Sequence, residues 1–173
     1  LARQHNVTNL ALAEGEPPAG SPANWHVGPD AAEQLVRDVE ADIVMAAMVG
    51  AAGLPATLAA IDLGRDIALA NKETLVAAGS LVIERAEQTG ARLLPVDSEH
   101  AAAWQCFQCN TSTSPLAPPF RPCPAISRLT LTASGGSLRA LSPRDAARAT
   151  PDQALAHPPW SMGPKATIDS PSP

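Results

Sequence analysis

The chain has 173 residues, enough for one or two domains, and 45% hydrophobic residues, enough for a real core. Only 3% are aromatic and Tyr is absent, so that core is built from Ala, Leu and Val. A net charge of −5 argues against a nucleic-acid-binding surface, and no transmembrane helix is expected.

Residues 1–28 read as loop-rich, without a period. Asp30 stands three residues before Glu33, a helix-capping pattern, and Ala31, Leu35 and Val39 form an apolar stripe. Residues 43–47 read as a buried strand. Gly50 and Gly53 permit a tight turn, and Pro55 suits the first turn of a helix that Gly64 ends. Residues 67–70 form a second strand, 73–88 a helix stopped by Gly90, and 93–96 a third strand. Strands alternating with helices predict parallel βαβ units with right-handed crossovers. Ligands of such sheets gather at the carboxyl ends of the strands, where Gly50, Asn71 and Asp97 fall.

In extended backbone, Asp97 and Glu99 point to one side, with Ser98 turned away. Two converging carboxylates suit a hard divalent cation; otherwise they are ordinary surface charges. Asn71-Lys72-Glu73 follows a strand and opens a helix, a place that favours anions, although any helix start with a first-turn Glu looks the same. Residues 101–107 read as a helix in which Cys106 packs as a small hydrophobe. Cys106 and Cys109 make a C-x-x-C, but only Cys123 lies near as a further ligand, so redox or zinc chemistry is the weaker reading. The odd count of three cysteines fits reduced thiols.

The 18 prolines, well above the usual ~5%, cluster near residues 15–29, 114–124 and the last sixteen. Residues 128–133 alternate as a strand running into Ser134-Gly135-Gly136, a hydroxyl with open backbone amides. Ser142-Pro143 and Thr150-Pro151 mark two short helix starts, and Gln153 completes a capping box with Thr150. Residues 166–168 read as a last strand. His157, before a proline, reads alone as a helix-end cap. His5, His26 and His100 read as loop or support residues.

Taken in order, five segments carry a resemblance. They are Ala41-Asp42-Ile43-Val44-Met45-Ala46-Ala47-Met48-Val49-Gly50-Ala51-Ala52-Gly53-Leu54, Asp66-Ile67-Ala68-Leu69-Ala70-Asn71-Lys72-Glu73-Thr74-Leu75-Val76-Ala77, Val96-Asp97-Ser98-Glu99-His100, Leu131-Thr132-Ala133-Ser134-Gly135-Gly136, and His157-Pro158-Pro159-Trp160-Ser161-Met162-Gly163-Pro164-Lys165. Together they resemble the 1-deoxy-D-xylulose 5-phosphate reductoisomerase family, NADPH- and metal-dependent oxidoreductases of the non-mevalonate isoprenoid pathway.

The resemblance implies an α/β fold: an incomplete Rossmann-like parallel sheet (residues 1–97, the NADP-binding part) followed by the start of an α+β catalytic domain (98–173), with a flap over 157–165. It implies Asp97 and Glu99 as ligands of Mg²⁺ or Mn²⁺, and Lys72 and Glu99 as catalytic residues. Lys72, Ser98, Glu99, Ser134, His157 and Ser170 become substrate contacts. Asn71, Glu73 and Gly163 become NADPH contacts, and Trp160 and Met162 the flap that closes over a sugar phosphate. It further implies a homodimer, no nucleic-acid or membrane partner, and a cytoplasmic location, or a plastid in a plant or alga.

The match has gaps. The family's dinucleotide-binding glycine loop is expected before Leu1, and its third acidic ligand, in a segment reading roughly Asn-Lys-Gly-Leu-Glu, after Ser170. Pro159 and Pro164 replace a usual Asn and a usual basic residue, and Ser137-Leu138 stand where a Phe is usual. Residues 1–173 alone are therefore expected to be inactive, and the competing reading is a catalytically dead fragment of the family. A generic Rossmann dehydrogenase explains the sheet but not Asp97-Ser98-Glu99 together with the Trp160 flap.

Overall fold

The computed structural model describes residues 2–108, 127–131 and 136–156, with 107 and 108 as backbone only. The chain divides into two compact units, 1–125 and 126–173.

The first unit carries the sheet. Strands β3 (Ile43–Ala46), β4 (Asp66–Leu69) and β5 (Leu93–Pro95) pair in the order β3-β4-β5, all parallel, with Val44, Ile67 and Leu93 side by side. Helix α2 (Leu54–Asp62) crosses from β3 to β4, and α3 (Glu73–Thr89) crosses from β4 to β5. Parallel neighbours need such crossovers, because a hairpin cannot return the chain in the same direction. Val44, Ala46, Ile67 and Leu69 alternate onto the face that packs with Ala60 and Ile61 of α2 and Val82 and Ala86 of α3. The opposite face stays open at β3, where Ile43 is 53% and Met45 59% exposed. Helix α3 is interrupted at Ala78, beside Gly79, and ends at Gly90, whose φ of +76° suits a residue without Cβ.

Residues 1–28 are more ordered than their sequence predicts. Strands β1 (Asn9–Leu12) and β2 (Asn24–Val27) form a separate parallel pair. Four residues each, with all of β1 half-buried, they are too short to display a period. Helix α1 (Ala31–Asp38) follows, but Asp30 makes no side-chain cap; Glu33 is drawn instead to Arg37 one turn on, at 2.8 Å.

In the second unit, α5 (Pro143–Ala146) and α6 (Pro151–Leu155) begin as expected. Ser142 accepts from the Asp145 N–H, and Thr150 and Gln153 form a reciprocal capping box. Ser137 Oγ donates to the Ala154 carbonyl at 2.5 Å, tying the start of this stretch to α6. The strand expected over 128–133 is not seen at residues 128–131, which pair with no neighbour among the described residues. An alternating pattern makes a strand only where a ladder partner is present. Residues 132–133, and the strand expected over 166–168, lie outside the described residues.

Candidate functional site

The carboxyl ends of β3, β4 and β5 lie at one edge of the sheet. Two residues past β4 comes Asn71 and two past β5 comes Asp97, and the Val96 N–H donates to the Leu69 carbonyl at 2.9 Å. The expected strands and their shared edge are as the sequence predicts.

At β3 the chain turns through a short 3-10 helix, Gly50–Gly53, with Gly50 at φ +72°. Asn71, 4% exposed, aims its side chain inward at this turn. Its amide donates to the Gly50 carbonyl at 2.9 Å and, more closely still, to the Met48 carbonyl. Its Oδ1 is buried and accepts no hydrogen bond among the described residues. Lys72 occupies the N-cap position of α3 without a side-chain cap, and Glu73 lies in the first turn. Both are half-buried.

Asp97 and Glu99 depart from the extended geometry expected of them. Helix α4 runs Ser98–Gln108, starting three residues earlier than the sequence suggests, with its first turn closed by Ala101 N–H to the Asp97 carbonyl at 2.9 Å. Asp97 is thus the N-cap and Glu99 a first-turn residue. The physical reason is composition: an aspartate suited to capping precedes Ser-Glu-His and a run of alanines with high helix propensity.

Equal orientation at i and i+2 holds for strands only. In place of Glu99, His100 meets Asp97, Nδ1 to Oδ2 at 2.5 Å, and the His100 N–H points to the same oxygen at 3.5 Å. The sequence reads His100 as a loop or support residue; it lies in α4 and supports Asp97, and three-residue spacing at a helix start is the signal that names this partner. No group of three metal-capable side chains converges among the described residues. Even so, two carboxylates within one turn, Asp97 with its side chain 16% exposed and Glu99 half-buried, are donors of the kind a hard cation takes.

Ser98 is exposed at the same helix start. Ser134, His157, Trp160, Met162, Gly163 and Ser170 lie outside the described residues, as do Cys109 and Cys123. Cys106 is exposed rather than packed, because α4 meets the other elements of its unit chiefly at β5.

The amino ends of the strands carry a different cluster. Arg92 grips Asp66 through Nε, 2.9 and 2.8 Å from the two carboxylate oxygens, and through a closer Nη2 contact. The guanidinium's hydrogen bond holds the Asp66 carboxyl below its ordinary range, against the opposing effect of burial.

Two family profiles match this chain. The profile of 1-deoxy-D-xylulose 5-phosphate reductoisomerase covers residues 2–79, and that of the reductoisomerase C-terminal domain covers 93–172. The Bordetella pertussis reductoisomerase is 52% identical over 144 residues, 83% of this chain and 35% of the relative. The Mycobacterium tuberculosis (strain H37Ra) enzyme is 46% identical over 169 residues, 98% of this chain and 38% of the relative. Among solved structures, a DOX-P reductoisomerase in complex with NADPH, fosmidomycin and magnesium superposes with a TM-score of 0.76 at 38% identity, over 98% of this chain and 43% of that one. The Zymomonas mobilis reductoisomerase in complex with NADPH gives 0.73, also at 38% identity, over 98% and 42%. The chain belongs to the 1-deoxy-D-xylulose 5-phosphate reductoisomerase family, an oxidoreductase family. It spans 35–38% of the length of the curated relatives it matches. No helix among the described residues is long and apolar enough to cross a membrane.

Proposed function

We propose that this chain is the segment of an NADPH- and divalent-metal-dependent reductoisomerase that joins the cofactor site to the metal site. The whole protein would convert 1-deoxy-D-xylulose 5-phosphate to 2-C-methyl-D-erythritol 4-phosphate. The observation that carries this is the placement of Gly50, Asn71-Lys72-Glu73 and Asp97-Ser98-Glu99 on one edge of one parallel sheet.

NADPH supplies the hydride, and Mg²⁺ or Mn²⁺ polarises the substrate oxygens. Asp97 and Glu99 hold the metal, and Glu99 and Ser98 also meet the substrate. Lys72, as an ammonium at the start of α3, reinforces a helix end that already favours anionic oxygens. Asn71, Glu73 and Gly163 serve the cofactor. Ser134, His157 and Ser170 offer neutral donors to an oxygen-rich sugar phosphate, and Trp160 and Met162 close over it to exclude water. Residues 1–97 form the cofactor-binding part, 98–173 begin the catalytic domain and 157–165 form its flap. A homodimer in the cytoplasm, or in a plastid, is the setting the family resemblance supports.

The test is Glu99→Gln in the whole protein, titrated with Mn²⁺. Loss of a charged ligand should weaken Mn²⁺ binding by at least tenfold and turnover by about 10² or more. Unchanged affinity and turnover would refute the assignment.

A further inference from the structure

Both hydrogens of the Asn71 amide are used on one loop. They go to the carbonyls of Met48 and Gly50, two residues apart in the turn that follows β3, while Asn71 itself follows β4. The left-handed backbone of Gly50 makes the sharp turn. A neutral group with two N–H donors on one atom is a carboxamide and nothing else among the side chains. Flipping the amide would set its oxygen against two carbonyl oxygens, so the hydrogen-bond network itself fixes the orientation. The loop is also closely fitted around the amide. A Cβ placed on Gly53 would stand 3.0 Å from Asn71 Nδ2 and 3.1 Å from Met48 Cβ.

At 4% exposure, with its Oδ1 buried as well, the Asn71 side chain faces the protein rather than the open edge. The loop it holds does face that edge: Met48 is 42% and Val49 69% exposed. We infer that Asn71 is a positioning residue, whose carboxamide fixes the 48–53 loop in the shape that receives the dinucleotide, and that it acts through this loop rather than by side-chain contact with the cofactor. This rests on the functional reading above and deepens it.

Asn71→Asp tests the inference in the whole protein, since a carboxylate keeps the shape but has no N–H to give. The NADPH Kd and KM should rise more than tenfold, with a much smaller change in kcat at saturating NADPH and in Mn²⁺ affinity. Amide exchange in the cofactor-free protein should quicken over residues 50–54 more than over β4 and β5. Gly53→Ala, which crowds Asn71 and Met48 without removing either, should reproduce both effects, and the double variant should be less than additive. It also serves if Asn71→Asp fails to fold.

Weakened NADPH binding with unchanged exchange over 50–54 would mean direct contact and overturn the inference. Faster exchange with unchanged NADPH affinity would overturn it too, by showing that the loop does not serve the cofactor. A native protein that binds no NADPH would instead overturn the functional reading on which it rests.

Discussion

The same three strands end differently at their two edges. At the amino edge, Asp66 and Arg92 close on each other, and the Arg92 N–H also donates to Asp66 Oδ1 at 3.2 Å. That ties the start of β4 to the residue before β5 and fixes their register. At the carboxyl edge the polar groups are spread over loops and helix starts: Asn71 on the 48–53 turn, Lys72 and Glu73 on α3, Asp97 and Glu99 on α4. A charged side chain engaged by its opposite keeps a sheet in register. At the carboxyl edge the charges stand at helix starts, and Asp97 meets a histidine of its own helix rather than a group on a neighbouring strand. Charge content alone does not separate the two edges; which element each charge sits on does.

The largest stability effect should come from the core beneath both. Ile67, fully buried in central β4, supports the register of β3 and β5 together. Ile67→Ala should cost about 2–5 kcal/mol in chemical denaturation, and should spoil the amino and carboxyl edges alike. A loss confined to one edge would show that they are built independently.

Asp66→Asn should do less, with its cost present at neutral pH and vanishing as pH falls. Arg92 depresses the folded carboxyl's pKa chiefly through the side-chain hydrogen bond. The stabilisation this gives is present above the unfolded value of about 3.9 and is lost as pH falls through the lower folded value. The variant should therefore show a flatter fall of melting temperature below about pH 4, with metal and cofactor binding in the whole protein intact. Impaired Mn²⁺ binding in Asp66→Asn would erase the distinction between the edges.

Much of this unit was legible from apolar runs and punctuation. The segments around Ile43, Ile67 and Leu93, with Gly50, Gly64 and Gly90 between them, predict three parallel strands that end on one edge, and the structure has them. Thr150 and Gln153 announce their capping box because four residues suffice to define it. Strands β1 and β2 were hidden because four-residue parallel strands show no alternation. At Asp97-Ser98-Glu99 the spacing misled: period-2 reasoning was applied to a helix start. The partner of His100 was illegible for the same reason, since its meeting with Asp97 exists only in helical geometry. Asn71's inward aim was illegible because its partners are backbone carbonyls, which sequence does not distinguish.

Paramagnetic broadening by Mn²⁺ in the ¹H–¹⁵N spectrum of the chain tests the central claim most directly, because it reports distance from the bound ion residue by residue. Titrated at low ionic strength, Mn²⁺ should first broaden the amides of residues 97–100 and then those of 71–73, while residues 64–66 and 92 stay sharp and Mg²⁺ in excess restores the lost signals. Broadening that begins around Asp66 and Arg92, or that spreads evenly over the acidic surface, would contradict the assignment of the carboxyl edge as the ligand site.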